Sequence, residues 1–185
     1  METWIWILII AVAVVIVVVT LIAMARRARR RTHLKDRFGP EYDRTVDALD
    51  SRRQAENDLR TREEQHALLN LQPLAPADRE RYQARWADMQ SNFVERPQVA
   101  VADADSMITQ VMRDLGYPVD DFESNAWLVS VEHANVVAKY REGHEIYNRT
   151  VAGTATTEDL RQAVLAYREL FNDLMRESAD AEQRS

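Results

Sequence analysis

A long run of uncharged residues near the start of the chain restricts what its first segment can become. From Trp4 to Ala25 the sequence has 22 residues that are mostly Val, Ile, Leu and Ala, with no Asp, Glu, Lys or Arg. A helix of this length spans roughly 33 Å, and a bilayer's hydrocarbon core is about 30 Å thick. The run therefore predicts a single N-terminal transmembrane helix.

The residues that flank the run predict its orientation. Only one acid, Glu2, precedes it, whereas five arginines follow directly. These are Arg26, Arg27, Arg29, Arg30 and Arg31. Because basic flanks stay on the cytoplasmic side, we expect the N-terminus outside and the rest of the chain in the cytoplasm. The arginine cluster is interpreted first as a topology signal and, as the alternative, as a site for anionic lipid.

A cleaved signal peptide is the alternative interpretation of the same segment. Ala23-Met24-Ala25 resembles a small-residue cleavage site. However, the residues before the run include no Lys or Arg, and the run exceeds the about 7–15 apolar residues usual in signal peptides. We expect a retained anchor. An exported domain, anchored outside or cleaved near Ala25, remains an alternative.

Charge and composition exclude several classes of function. Residues 1–31, the predicted anchor with its arginine flank, have a net charge of +4, and residues 32–185 have −10. A domain with this much negative charge is repelled by the phosphates of nucleic acid. We therefore do not expect nucleic acid as a partner. The absence of cysteine excludes disulfides, thiol nucleophiles and zinc sites with cysteine ligands.

Residues 32–72 are predicted to form a charged juxtamembrane stalk. Thr32–Gly39 is interpreted as a short joint, and Pro40 suits the first turn of a helix. From Asp50 to Gln65 only two residues are apolar. We therefore expect one long, mostly solvated helix that lifts the following domain off the membrane.

Helical periodicity predicts an all-α antiparallel bundle over residues 73–176. Tyr82, Trp86, Met89 and Phe93 share one face of a first helix, over about 77–95, which Pro97 ends. We expect these side chains to pack in the core. If they are exposed instead, the candidate partner interface is Tyr82, Trp86 and Phe93.

Three further helices complete the predicted bundle. An apolar stripe from Val101 to Leu115 ends at Gly116, where a left-handed cap is expected. Asp120 and Glu123 resemble a capping box that opens a helix to about Thr150.

Gly143 is expected to kink or weaken that third helix. Thr156 and Asp159 open the last helix, whose apolar residues recur with helical spacing from Leu160 to Leu174. Residues 177–185 are predicted to be a polar, frayed tail.

The sequence predicts no catalytic residue, no metal site and no bound cofactor. Glu63 and His66 form one E-x-x-H pair, whereas di-metal bundles use two such pairs. On an unbroken helix, His133 and His144 would lie about 16 Å apart, too far to share a metal. Phosphate-binding loops and serine-nucleophile motifs are absent. A metal protein or enzyme that uses these residues remains an alternative function.

Two stretches resemble a known family. They are Arg37–Arg44 (RFGPEYDR) and Thr157–Ala163 (TEDLRQA), with Gly116-Tyr117-Pro118 between them. Together they are similar to an uncharacterised family of bacterial, largely actinobacterial, helical proteins. The resemblance extends from about Leu34 to Arg176 and implies a bacterial host and an all-helical domain. It implies no activity, cofactor or catalytic residue.

These patterns favour a membrane-anchored interaction module over an enzyme. The predicted anchor fixes the chain in the lipid bilayer, and the bundle surface is left for a protein partner whose identity the sequence does not specify. We therefore expect a single-pass protein of the cell membrane with a cytoplasmic scaffold or protein-interaction domain.

Overall fold

The computed structural model describes the backbone of residues 2–183 and, within it, the side chains of Trp4, residues 14–26 and residues 28–182. This part of the chain is all-α, as predicted, and contains no strand. Its eight helices are α1 (Glu2–Phe38), α2 (Pro40–Leu49), α3 (Arg52–His66), α4 (Pro76–Ser91), α5 (Pro97–Leu115), α6 (Phe122–Val129), α7 (Val137–Val151) and α8 (Thr157–Gln183).

Helix α1 continues past the arginine cluster to Phe38, so the predicted joint at Thr32–Gly39 is wrong. The break is confined to Gly39, whose φ of 44° lies in a region that side chains with a Cβ disfavour. Pro40 then starts α2. Leu34 and Phe38 are buried, and this burial favours the helical conformation up to the turn.

The predicted solvated stalk is also wrong, because residues 40–66 fold back as a helical hairpin. Asp50, with a φ of 48°, separates α2 from α3, and Ser51 caps α3 by accepting a hydrogen bond from the Gln54 amide. The hairpin packs on the end of α1. A small apolar cluster joins them to the segment after α6, and its members are Leu34, Phe38, Tyr42, Leu59 and Val131. We call residues 31–66 the head.

Helices α4 to α8 form the main bundle around one large core. Helix α8 packs on α7 and α5, and α4 packs on α5. The predicted stripe from Val101 to Leu115 is buried, and Gly116 ends α5 with a φ of 100°, as expected. Pro97 does not end the preceding helix itself but occupies the first turn of α5.

The predicted long helix from Asp120 to Thr150 is two helices. Its cap is Asp121, one residue later than predicted, and the Asp121 carboxylate accepts a hydrogen bond from the Ser124 amide at 3.0 Å. The chain leaves the helix between Val129 and Val137. There the Ser130 hydroxyl donates to the Trp127 carbonyl at 2.7 Å.

Gly143 lies inside α7 and does not interrupt it, contrary to expectation. A Cβ at this position would lie 3.2 Å from the ring of Tyr167 on α8. The missing side chain therefore permits the close approach of α7 and α8.

The last helix begins as predicted and ends later. The Thr156 amide donates to the Asp159 carboxylate at 2.8 Å, and the Asp159 amide donates back to the Thr156 hydroxyl at 3.2 Å. Helix α8 continues to Gln183, so residues 177–183 are not a frayed tail. Buried Ser178 accepts a hydrogen bond from the Leu74 amide, and this contact holds the end of α8 on the bundle.

Within the residues whose side chains the structure describes, no helix is both long and apolar enough to cross a membrane. Residues 5–13 of the predicted span Trp4–Ala25 lie outside that set. The large apolar side chains that the structure does describe between Val14 and Met24 are 47–65% exposed.

Candidate functional site

A buried histidine lies between two acids where the α6–α7 turn meets α8. His133 is 3% exposed. Its Nδ1 lies 2.8 Å from Asp173 Oδ2, and its Nε2 lies 2.8 Å from Glu177 Oε2. The two acids are four residues apart on α8, so they share one face of the helix. We call His133, Asp173 and Glu177 the histidine site.

The histidine site forms one wall of a surface cavity of about 450 Å³. Four acids and two arginines surround the opening, and they come from α1, the α6–α7 turn and α8. The lining residues are Arg37, Val131, Glu132, His133, Asp173, Arg176, Glu177 and Asp180. The cavity therefore lies between the head and the main bundle.

The carboxylates determine the protonation of His133. Burial lowers the pKa of His133, but its interactions with Glu177 and Asp173 outweigh burial and raise that pKa above the ordinary value. Pairing with His133 in turn lowers the pKa of Glu177 to about 2. Burial, together with the neighbouring Glu177, raises the pKa of Glu132 to about 7. The site thus combines an imidazole whose cationic form the acids favour with a carboxyl group that titrates near neutral pH.

This geometry favours an electrostatic clamp over a catalytic base. Nδ1 of His133 hydrogen-bonds to Asp173, whereas Nε2 lies 2.8 Å from Glu177 without the geometry of a hydrogen bond. A protonated ring has no lone pair left for a proton or a metal. Among the described residues, no group of three or more His, Asp or Glu side chains is placed to hold a metal ion. The clamp joins the α6–α7 turn to α8.

A second buried ionic network connects the head to the main bundle. Glu41, on α2, is 2% exposed. Its carboxylate accepts hydrogen bonds from Arg62 Nη1 at 2.8 Å and from both terminal nitrogens of Arg141 at 2.8 and 3.0 Å. Arg62 also donates to Asp58 and to the Ser130 hydroxyl. One carboxylate therefore links α2, α3 and α7.

The network adds a structural role to the RFGPEYDR segment. From the sequence this segment indicates a helix start, and the structure confirms one at Pro40. The next residue, Glu41, is the buried acid of the network.

His144 belongs to a different cluster, inside the bundle. Asp105 Oδ1 accepts a hydrogen bond from the Tyr167 hydroxyl at 2.6 Å and lies 3.0 Å from His144 Nδ1. The His144 ring stacks on Phe122, with centroids 3.6 Å apart. Burial and the charge of Asp105 raise the pKa of Tyr167, which remains a neutral donor. The cluster joins α5, α7 and α8, and His133 lies outside α7 in the preceding turn.

The E-x-x-H pair of Glu63 and His66 does not form a common site. Glu63 Oε1 lies 3.3 Å from His33 Nε2 and 3.4 Å from Arg37 Nε. His66 is buried, its Nε2 lies 3.4 Å from the Tyr117 hydroxyl, and burial lowers its pKa. The two side chains have different partners.

The candidate interface residues belong mostly to the core. Tyr82 and Trp86 are 3% and 5% exposed, and Trp86 stacks on Phe171 with centroids 4.5 Å apart. Phe93 is half-buried and packs against the same core. These positions confirm the predicted core packing and leave little of the stripe for a partner.

The arginine cluster that follows the predicted anchor lies along α1. Arg26, Arg29 and Arg30 are exposed, Arg31 is half-buried, and the Arg27 side chain lies outside the described part. Arg26 and Arg30 line a cleft of about 820 Å³ between α1 and α3. The cluster therefore faces the head as well as solvent.

No protein-family model, curated protein or solved structure matches this chain. The similarity of Arg37–Arg44 to a bacterial helical family remains a prediction.

Sequence reasoning missed both buried ionic clusters. An acid pair at i,i+4, such as Asp173 and Glu177, shows that two carboxylates share a helix face, but it does not name their partner. His133 is 40 positions away from Asp173. From the sequence alone, Glu41 indicates only a favourable negative charge near the start of a helix. Its burial depends on packing against α7, which periodicity alone does not specify.

Proposed function

We propose that this chain is a single-pass, membrane-anchored adaptor whose helical domain lies in the cytoplasm and binds another protein. The observation that supports the anchor is the exposure of α1. Its large apolar side chains from Val14 to Met24 are about half exposed. An apolar helix surface of this kind requires lipid or a protein partner around it.

The sequence around this surface favours lipid. The uncharged run from Trp4 to Ala25 has the length of a membrane span, and the arginines that follow it match the cytoplasmic flank of one. Helix α1 continues from this run into the head without a break.

The folded head would lie close to the membrane surface. Leu34, the first buried residue of the head, follows Ala25 by nine positions, or about 13 Å of helix. Because α2 and α3 fold back along α1, no stalk separates the domain from the predicted anchor. A partner would therefore be held within a short distance of the bilayer.

The cavity beside the histidine site is the surface we propose for the partner. Its rim has four acids, Glu132, Asp173, Glu177 and Asp180, against two arginines, Arg37 and Arg176. Residues 32–185 also have a net charge of −10. A partner segment with Lys or Arg side chains complements this surface, and complementary charge raises the rate of association.

A membrane-association experiment tests the anchor. The variant V15D/V19D puts two carboxylates into the apolar surface of α1, at a cost of about 3 kcal/mol each for a residue at the centre of a membrane span. We expect it to lose alkali-resistant association with membranes. The control V94D/V151D changes two exposed valines of the bundle and should stay membrane-bound. Equal membrane association of both variants would contradict the proposal.

A reporter and a crosslinking experiment test the topology and the partner. A C-terminal reporter should be active only on the cytoplasmic side, and activity outside would favour the exported alternative. In-cell crosslinking of the tagged full chain should recover a partner whose yield falls in E132K. The control E123K changes an exposed acid of α6 away from the cavity and should retain the yield.

Metal analysis tests the remaining alternative. Stoichiometric iron, manganese or zinc in protein purified without chelator would favour a metal protein or enzyme. His144 is the histidine to examine first, because both ring nitrogens of His133 face carboxylates.

A further inference from the structure

The cleft between α1 and α3 gathers arginines from two separate parts of the sequence. Arg26 and Arg30 come from α1, and Arg53 and Arg60 come from α3. Its volume of about 820 Å³ is typical of small-ligand sites. The remaining lining residues are Ala23, His33, Leu34, Glu56, Asn57 and Glu63.

The helices that form the cleft run in the same direction. The Tyr42 ring lies 5.2 Å from Lys35 Nζ, so α2 folds back along α1. Glu41 and Thr45 of α2 both contact Arg62 near the end of α3, so α3 reverses direction again. The N-terminal end of α3, with Arg53, is therefore at the end of the cleft nearest Ala23.

The acids in the cleft already have partners, whereas most of its arginines do not. Glu56 accepts a hydrogen bond from the Tyr42 hydroxyl at 3.0 Å, and Glu63 contacts His33 and Arg37. Arg60 contacts Asn57 and Glu64.

The other three arginines of the cleft, Arg26, Arg30 and Arg53, have no ion pair with any residue whose side chain is described. Glu56 keeps its negative charge, because its Tyr42 partner is neutral. The three arginines still leave an excess of positive charge in the cleft.

The position of the cleft along α1 matches the depth of lipid headgroups. Arg26 directly follows the uncharged run, and Arg30 lies about 6 Å further along the helix. The headgroup layer extends roughly 5–8 Å beyond the hydrocarbon core on each side. If α1 spans the membrane, the part of the cleft lined by Arg26 and Arg30 lies within that headgroup layer.

We propose that the α1–α3 cleft binds the phosphate-bearing headgroup of an anionic phospholipid. Arg26 and Arg30 contact it from α1, and Arg53 and Arg60 contact it from α3. The guanidinium groups recognise the phosphate by paired, charge-assisted hydrogen bonds. This inference rests on the proposed membrane anchor, and it assigns to the head a lipid specificity that a topology signal alone does not have.

Thermal unfolding of the full chain in a nonionic detergent tests the inference. The probes are dioleoylphosphatidylglycerol, dioleoylphosphatidylcholine and inorganic phosphate at matched ionic strength, because a bound ligand raises the unfolding midpoint. We expect a saturable rise with the anionic lipid and a clearly smaller one with the zwitterionic lipid, which has the same phosphate but whose choline ammonium the arginines repel. An equal response to both lipids would overturn the inference. Saturation by inorganic phosphate in the same concentration range would assign the cleft to a soluble anion instead.

Matched arginine variants locate the binding. R53Q/R60Q should weaken binding of the anionic lipid about 25-fold, from about fivefold for each charge near an anionic headgroup. The control R52Q/R168Q removes two exposed arginines that do not line the cleft, one of them next to Arg53. We expect it to bind within about fivefold of the unchanged chain, because only Arg52 of the two lies near the predicted membrane surface.

If the two double variants weaken binding equally, the chain has only a general attraction to anionic surfaces. That result would overturn the proposal that the cleft is a lipid site. The single variant R53Q serves if the double variant fails to fold, and it should weaken binding more than R52Q. Alkaline extraction separates the two proposals. If alkali extracts the unchanged chain from membranes, the proposed membrane anchor is contradicted. If the chain is retained but responds equally to the two lipids, only the proposed lipid site in the cleft is contradicted.

Discussion

Glu41 and Arg141 lie 100 positions apart in the sequence and form two hydrogen bonds in the fold, at 2.8 and 3.0 Å. Glu41 lies in the first turn of α2 in the head, and Arg141 lies on α7 of the main bundle. Arg62 of α3 binds the same carboxylate, and Arg44 of α2 lies 3.5 Å from it. The head and the bundle are thus joined by a buried acid with three basic partners. Their relative position depends on charge pairing as well as on apolar packing.

Removing the charge of Glu41 should strongly destabilise the protein. E41Q leaves the half-buried Arg141 without its carboxylate partner and leaves buried Arg62 with Asp58 as its carboxylate partner. Breaking a buried ion pair on one side costs about 3–5 kcal/mol. We expect a loss near the lower end, because Gln still accepts a hydrogen bond. Urea unfolding of the full chain in detergent measures the difference. D43N, an exposed acid two residues away, should change the free energy of unfolding by less than about 0.5 kcal/mol, and equal losses would contradict the prediction.

Truncation of the first aromatic stripe separates core residues from surface residues. Trp86 is 5% exposed and stacks on Phe171, so W86A should cost about 3–5 kcal/mol of unfolding free energy. Phe93 is half-buried, and F93A should cost clearly less. Urea unfolding compares the two variants. A small loss for W86A, together with loss of a crosslinked partner, would restore the interface interpretation of this stripe.

Apolar periodicity predicted the parts of the fold that depend on local pattern. The stripe from Val101 to Leu115 and the capping box of Thr156 and Asp159 occur where the sequence indicates them. Gly116 also ends α5 as predicted, whereas Pro97 begins α5 and does not end the preceding helix.

The head could not be predicted in the same way, because its buried face includes charged residues. Glu41 and Arg62 are both buried, yet each is typical of a solvated surface when considered alone. Their burial becomes favourable only when the partners meet, and that depends on the positions of three helices. The histidine site could not be predicted for the same reason, because the partners of His133 lie 40 or more positions away on α8 and meet it only in the fold.

The contact between Gly143 and Tyr167 predicts that G143A lowers the stability of the protein, although alanine has the higher helix propensity. G143A would gain about 1 kcal/mol from propensity. The added Cβ would lie 3.2 Å from the Tyr167 ring, which is fully buried and held by its hydrogen bond to Asp105. Overpacking costs about 1–3 kcal/mol, so we expect net destabilisation.

A double-mutant cycle tests this cause. Y167F removes the hydrogen bond to Asp105 and leaves the ring freer to shift, so G143A should cost less in that background. Thermal unfolding of the four proteins gives the coupling. An increase in stability for G143A alone would show that the ring moves aside without cost.

The histidine site predicts that stability falls as the pH rises through neutrality. The folded-state pKa of His133 is raised, so the stabilisation from its cationic form is complete below its ordinary value of 6.5 and is lost above the raised pKa. The pKa of Glu132 rises to about 7, so its neutral form contributes below 4.5 and the contribution is lost as the pH passes about 7. Both groups therefore lower the free energy of unfolding as the pH rises from 6.5 through 7.

Glu177 has the opposite sign and limits stability on the acid side. Its folded-state pKa is about 2, so its contribution is complete above 4.5 and is lost as the pH falls towards 2. Tryptophan fluorescence during urea unfolding at pH 5.5, 7 and 8.5 should therefore show the highest free energy of unfolding at the lowest of these values. H133Q should be less stable than the unchanged chain at pH 5.5 and should lose less between pH 5.5 and 8.5. E132Q should remove only the part that titrates near pH 7. A pH dependence that survives both substitutions would place its origin outside the histidine site.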